Sequence, residues 1–197
     1  EFAQQTRSVR MPSIWIDLLK LWDDSTLLYC GFSDAKIQDQ KPRARQLCLL
    51  MQKHSVKRII LMDGHGSLVY SLLCEISKDA NVDDFEVSLV DVDKAVHGWH
   101  TAFMPMATNI EGSIFEHCVP EDGVLYMNFM GLAGQNKALE DWLLKQRKED
   151  LQRLVISFSS RGGSNPETVK MVQNLGASPI AERGFFKTFA WEDVLQA

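Results

Sequence analysis

One stretch of the chain, residues 57–73, constrains the fold more than any other. It contains the continuous apolar run 59–62, whose length is typical of a strand buried on both faces of a sheet. A polar turn with two glycines follows at residues 63–67, and apolar side chains then recur at helical spacing. The order strand, glycine turn and helix predicts the first half of a βαβ unit. The N-terminus of such a helix directs unpaired N–H groups at any ligand above the sheet.

The glycine turn is a candidate ligand loop. The backbone can approach a ligand closely at its two glycines, and the first residue of the turn is placed to accept a hydrogen bond from an amino group. Many α/β proteins have such a turn without a ligand, with the acidic residue capping the turn and the histidine facing solvent. Val69 stands where a dinucleotide-binding pattern has its third glycine. The candidate contacts are Asp63, Gly64, His65, Gly66 and Ser67.

A second apolar strand is predicted at residues 85–90, and it is followed by Asp91 and Asp93. An acidic residue at the end of the second strand of such a unit accepts hydrogen bonds from ribose hydroxyls in nucleotide-binding folds. Asp91 follows Asp63 by 28 residues, and the polar segment 79–84 accounts for this length. We therefore predict a site for a nucleoside-containing cofactor. Capping of the next helix is the alternative role for Asp93.

The composition narrows the class of protein. Of the 197 residues, 45% are hydrophobic and 24% are charged, which is ordinary for a globular domain. The net charge of −5 disfavours a scaffold that grips nucleic acid by bulk charge, but it is compatible with a local basic patch. The four cysteines form no C-x-x-C pair, so we expect reduced thiols and an intracellular location, cytoplasmic or nuclear. No apolar run reaches the ~18 residues of a membrane span, and no membrane partner is expected.

Apolar spacing in the rest of the chain alternates between helical and extended patterns. An amphipathic helix at residues 14–22 suggests an N-terminal helical extension over residues 1–42, before an α/β domain at residues 43–197. Further helices are predicted at residues 43–54, 94–103, 136–151 and 165–175. Further strands are predicted at residues 112–118, 124–129, 154–158, 179–182 and 185–191. The last two flank Arg183 and Gly184 and indicate a hairpin.

This order of elements resembles the Rossmann-like, or class I, S-adenosylmethionine-dependent methyltransferases. The resemblance covers residues 43–191 and rests on the turn 63–66, on Asp91 or Asp93, and on the segment 128–131. It implies an α/β fold with a mostly parallel seven-stranded sheet, helices on both faces and a C-terminal antiparallel strand pair. It also implies S-adenosyl-L-methionine as cofactor, bound by the turn residues, the acidic strand end and Asn128.

The same resemblance implies catalytic candidates at the ends of the later strands, namely Asn128, Arg161 and Glu182. The chain departs from the family in its turn, which is one glycine short, and it lacks an Asn/Asp-Pro-Pro-Tyr/Phe motif after the fourth predicted strand. Two functions therefore stay open: a methyltransferase acting on nucleic acid, RNA or DNA, and a catalytically inactive methyltransferase-like binding or assembly module. A dinucleotide-dependent oxidoreductase is disfavoured by the missing third glycine.

Other chemistry finds less support in the sequence. His97 and His100 share a helix face, but no further ligand has diagnostic spacing, and no metal is predicted. The glycine-rich segment 159–163 is either an anion-binding loop with Arg161 on a phosphate or an ordinary strand-to-helix turn. No G-x-S-x-G motif and no Walker lysine are present, which disfavours a serine hydrolase and a P-loop nucleotide hydrolase.

Overall fold

The structure is a computed structural model that describes residues 34–62, 68, 71–72, 85–104, 107–130, 136–159, 166–183 and 186–196. Its strands are β1 (Arg58–Leu61), β2 (Glu86–Asp91), β3 (Thr108–Glu111), β4 (Gly123–Met130), β5 (Leu154–Ser159), β6 (Ser178–Arg183) and β7 (Phe186–Ala190). They form one seven-stranded sheet in the order β3-β2-β1-β4-β5-β7-β6. Strands β1 to β5 pair in parallel, whereas β7 pairs antiparallel with both β5 and β6. This topology confirms the expected Rossmann-like methyltransferase fold.

Helices surround this sheet. They are α1 (Asp34–Lys53), α2 (Lys94–Phe103), α3 (Asn136–Lys145), α4 (Lys148–Leu151) and α5 (Pro166–Asn174). Residues 68, 71 and 72, between β1 and β2, are also helical. Within the described part of the chain, no helix is both long and apolar enough to cross a membrane.

Two apolar cores lie on opposite faces of the sheet. On one face, Leu47 and Leu50 of α1 belong to a buried cluster with Leu61 and Tyr126 of the central strands. On the other face, the α3 residues Leu139 and Trp142 belong to a second cluster that includes Leu125 and Met127 of β4. Because both faces of the central strands are covered, their sequences are nearly continuous apolar runs. This is why periodicity located them correctly.

Helix α1 begins at Asp34 and not at Arg43, and Pro42 lies inside it. Proline lacks a backbone N–H and commonly breaks a helix, which is why the sequence-based prediction began after it. Gln40 and Arg43, on either side of Pro42 in the chain, are both buried, so this part of α1 packs against the sheet. The helix crosses the position between residues 42 and 43 at which the extension was expected to end. The extent of that extension stays a prediction.

The prediction of the third strand was wrong in position. Residues 112–118 were expected to form it, but β3 is Thr108–Glu111, and Ile114–Glu116 form a 3-10 turn. β3 lies at the edge of the described sheet and pairs with β2, so it is partly exposed and has a mostly polar sequence without apolar alternation. Ile114 and Val119 are instead buried as turn residues in the second core.

The amino end of β4 is held by charged side chains. Arg153 donates hydrogen bonds to the carbonyls of Pro120 and Gly123, both at 3.1 Å, and to the buried Asp150 at 2.9 Å. The hydrogen bond from Arg147 is the main cause that holds the pKa of Asp150 below its ordinary value, against the effect of burial. Arg147 has extended backbone geometry at the start of α4, so the helix predicted at residues 136–151 is divided into α3 and α4.

Candidate functional site

The candidate site follows from the order of the strands. β1 pairs with β2 on one side and with β4 on the other. The connection after β1 therefore leads to one half of the sheet, and the connection after β4 leads to the other half. In open α/β sheets, ligands bind outside the carboxyl ends of the strands at such a switch point. The residues at the ends of β1, β2 and β4 are therefore the first candidates for binding a ligand.

Asp91 is the last residue of β2 and is partly buried. Its Oδ1 accepts a hydrogen bond of 2.8 Å from the backbone N–H of Asp93. Asp93 is exposed, and its Oδ1 accepts from the backbone N–H of Ala95 at 2.8 Å, which caps α2. The capping role considered for Asp93 is thus present in the structure. A ribose contact from either carboxylate stays a prediction.

Asn128 lies near the carboxyl end of β4. Its Oδ1 is buried, and no described residue donates a hydrogen bond to it. Asn128 lies two residues beyond Tyr126, which is paired with Leu61 at the end of β1. Asp91 lies two residues beyond Leu89, which is also paired with Leu61.

Asp91 and Asn128 project from the same face of the sheet. Side chains alternate along a strand, so each shares the face of the residue two positions before it, and Leu89 and Tyr126 both belong to the core beneath α1. The two polar residues therefore flank the end of β1, two strand intervals or about 10 Å apart. A buried amide oxygen and a carboxylate at this spacing can receive N–H and O–H donors from one small ligand.

A buried arginine that the sequence analysis did not identify lies in the same region. Arg43 of α1 is 1% exposed. Its Nε donates to Ser157 Oγ at 3.1 Å and to Thr188 Oγ1 at 2.7 Å, and its Nη1 donates to Asp39 Oδ2 at 2.9 Å and to Gln40 Oε1 at 3.2 Å. The sequence did contain an indication of this buried polar cluster. The polar residues Gln40, Arg43 and Gln46 recur at helical spacing, and all three lie on the buried side of α1.

The Arg43 cluster adjoins Asn128. The sheet register pairs Asn128 with Ser157, and Ser157 with Thr188. These three polar side chains therefore form a row across β4, β5 and β7 on the face that α1 covers. The hydroxyl oxygens of Ser157 and Thr188 are 2.8 Å apart and hydrogen-bonded to each other.

The structure does not bring Glu182 to Asn128. Glu182 is an exposed residue of the edge strand β6 and forms an ion pair with Lys187 at 3.2 Å. β5 and β7 separate β6 from β4, a distance of three strand intervals or about 14 Å. Lys187 precedes Thr188, so Glu182 and Lys187 project from the face opposite to Arg43 and Asn128.

Several predicted site residues lie outside the described residues. They are Arg161 and the turn residues Asp63, Gly64, His65, Gly66 and Ser67. Within the described part of the chain, no group of three or more His, Cys, Asp or Glu side chains could hold a metal ion. Nε2 of His97 lies 3.4 Å from the backbone oxygen of Asn109, and His100 is fully buried in the same helix.

Known proteins resemble this chain in structure only at low sequence identity. No protein-family model and no curated protein sequence matches the chain. Among solved structures, the N-methyltransferase NodS from Bradyrhizobium japonicum WM9 is 9% identical, with a TM-score of 0.45 over 75% of this chain and 93% of its own. A TehB-like SAM-dependent methyltransferase from Corynebacterium glutamicum ATCC 13032 is 15% identical, with a TM-score of 0.46 over 91% of this chain and 98% of its own.

An O-methyltransferase from Bacillus cereus, solved in complex with SAH, is 13% identical, with a TM-score of 0.45 over 91% of this chain and 100% of its own. What each of these proteins binds or methylates is a property of that protein. The strand order and directions give this chain the fold of the class I S-adenosylmethionine-dependent methyltransferases.

Proposed function

We propose that the protein is an S-adenosylmethionine-dependent methyltransferase whose cofactor lies over the carboxyl ends of β1, β2 and β4. The observation that carries this proposal is that Asp91 and Asn128 flank the end of β1, on one face, at the switch point of the sheet. The Asp91 carboxylate suits the two hydroxyls of a ribose. The buried Oδ1 of Asn128, which receives no donor from the described residues, suits an N–H group of the ligand.

Methyl transfer requires little covalent chemistry from the protein. S-adenosylmethionine supplies a methyl group on a sulfonium, and the protein aligns the nucleophile with it and removes a proton where needed. Asn128 can orient such a nucleophile but cannot serve as a strong base. The proposed acceptor class is nucleic acid, as expected from the sequence, with Arg161 as the candidate contact for a phosphate.

Calorimetry tests the cofactor part of the proposal. S-adenosylhomocysteine should bind with micromolar-range affinity, and NAD and NADP should not bind. Asp91→Asn should weaken binding of S-adenosylhomocysteine by about 10–100-fold, because one charge-assisted hydrogen bond is lost. Glu111→Gln is the matched control, since Glu111 is the exposed neighbour of Asp91 on β3.

The outcome also identifies the ribose partner. A larger loss in Asp93→Asn than in Asp91→Asn would assign the ribose to Asp93, because asparagine caps a helix as well as aspartate does. Absence of heat at millimolar S-adenosylhomocysteine would reject the proposed function.

The alternative function is a methyltransferase-like module without catalysis. The observation that favours it is the separation of Glu182 from Asn128, which removes one candidate base from the methyl-transfer position. Incubation with radiolabelled S-adenosylmethionine and pools of RNA, DNA and protein distinguishes the two. Label in RNA or DNA supports the methyltransferase, whereas bound S-adenosylhomocysteine without transfer to any pool supports the module.

A further inference from the structure

The Ser157 hydroxyl lies between two polar neighbours along the row of polar side chains. Thr188 lies on one side, with the two hydroxyl oxygens 2.8 Å apart. Asn128 lies on the other side, in register on the neighbouring parallel strand, about 4.8 Å away at the backbone. Ser157 is fully buried, so water does not compete for its proton.

Counting protons limits the possible donors. The Nε of Arg43 carries one hydrogen, and it donates to both hydroxyl oxygens, so neither hydroxyl donates to Arg43. One hydroxyl must then donate to the other. With Ser157 as the donor to Thr188, no proton is left for Asn128, and the structure has no hydrogen bond between Ser157 and Oδ1 of Asn128.

We infer that Arg43 and Thr188 are positioning residues that hold the Ser157 hydroxyl away from Asn128. Their effect is to keep the buried Oδ1 of Asn128 open as an acceptor for a ligand. The ligand group that fits is an N–H donor, such as the ammonium or amine group of an S-adenosyl compound. This inference rests on the proposed function for the identity of the ligand, and on the contacts of Arg43 for the mechanism.

Removing the Thr188 hydroxyl tests the mechanism. In Thr188→Val, the Ser157 proton loses its acceptor, turns to Asn128 Oδ1 and competes with the ligand. Binding of S-adenosylhomocysteine, measured by calorimetry, should weaken about fivefold, the value of one neutral hydrogen bond. Thr188→Ser keeps a hydroxyl and should bind as the wild type does.

The double variant separates this mechanism from a structural role of Thr188. Ser157→Ala removes the competing hydroxyl, so Ser157→Ala/Thr188→Val should regain the affinity of the wild type. If the double variant binds as weakly as Thr188→Val, or if Thr188→Val binds as tightly as the wild type, the inference is overturned. A general loss of packing would make the double variant weaker than either single variant.

A ligand-free measurement keeps the two proposals apart. If the wild type gives no heat with S-adenosylhomocysteine, the proposed function fails, and a thermal double-mutant cycle of Asn128→Ala and Ser157→Ala then tests the hydrogen-bond assignment. The Tm changes should add in the wild-type background and show a coupling of about 2–4 °C in the Thr188→Val background. Additive Tm changes in both backgrounds would overturn the inference.

Discussion

Arg43 Nε lies 2.7 Å from Thr188 Oγ1, and this hydrogen bond joins residues that are 145 positions apart in the chain. It links α1, the helix before β1, to β7, the last strand along the chain. The guanidinium is buried, and its charge is balanced by Asp39 at 2.9 Å in the same helix. The contact therefore serves the packing of α1 as well as the arrangement of the candidate site.

Arg43→Met should lower the free energy of unfolding by about 2–4 kcal/mol. The substitution leaves the hydroxyls of Ser157 and Thr188 without their buried donor, and Asp39 without its partner. Chemical denaturation followed by circular dichroism measures the change. Arg45→Met is the control, because Arg45 is an exposed residue of the same helix and should change stability by less than about 0.5 kcal/mol. Equal effects of the two substitutions would contradict the structural role of Arg43.

Alanine substitutions at two glycines should change the stability of the fold in opposite directions. At Gly123, a Cβ would lie 2.5 Å from the backbone oxygen of Arg58 and 2.9 Å from Cγ of Pro120, so the strands must move apart. Gly123→Ala should destabilise the fold by about 3 kcal/mol. At Gly98, inside α2, a Cβ meets nothing within 4 Å, and Gly98→Ala should stabilise by about 0.5–1 kcal/mol. Thermal denaturation of both variants measures the pair, and destabilisation by Gly98→Ala would show that its position is misassigned.

Hydrogen bonds of Glu192 connect the segment after β7 to the carboxyl-terminal part of α1 and to His54. Its side chain accepts hydrogen bonds from Lys53 and from His54, and its backbone oxygen accepts from Gln46 at 2.6 Å. Burial tends to raise the pKa of Glu192, but the hydrogen bonds and charges of Lys53 and His54 outweigh it, so the pKa is lowered.

The lowered pKa predicts a pH dependence of stability. Glu192 should contribute stability that is fully present above the unfolded pKa of about 4.3 and lost as pH falls through the lower folded value. Glu192→Gln should therefore cost roughly 1 kcal/mol at about pH 7 and less at about pH 2.5, as measured by urea denaturation. Glu116→Gln, at an exposed position, should match the wild type at both pH values. A difference for Glu192→Gln that persists undiminished at the lower pH would contradict the assignment.

Asn128→Ala should affect turnover more than cofactor binding. If the protein is an active methyltransferase, turnover should fall by well over tenfold because the nucleophile is no longer aligned. Cofactor affinity should fall by no more than about fivefold, the value of one hydrogen bond. Transfer of labelled methyl groups and calorimetry provide the two readouts. Equal, measurable turnover in both proteins would defeat this role for Asn128 and leave Arg161 as the remaining candidate, since Glu182 projects from the opposite face of the sheet.

The sequence predicted most elements because their signals are local. The apolar runs in β1, β4 and β5 and the helical spacing in α2 and α5 report burial within a few residues. Edge strands carry a weaker sequence signal than central strands do. β3 is partly exposed, so its mostly polar sequence carries no strand signal, and the more apolar residues after it were assigned to the strand in its place.

The sequence by itself determined the fold class, through its resemblance to a known family, and the location of Asp91 and Asn128 at the ends of strands, because apolar runs followed by polar residues mark where buried strands end. Only the tertiary structure decided which side chains meet. β7 lies between β5 and β6, which carries Glu182 to the sheet edge and brings Thr188 beside Ser157. Arg43 reaches both hydroxyls across 114 and 145 residues of chain. Such contacts depend on strand order and on the face from which each side chain projects, and no local pattern of residues encodes them.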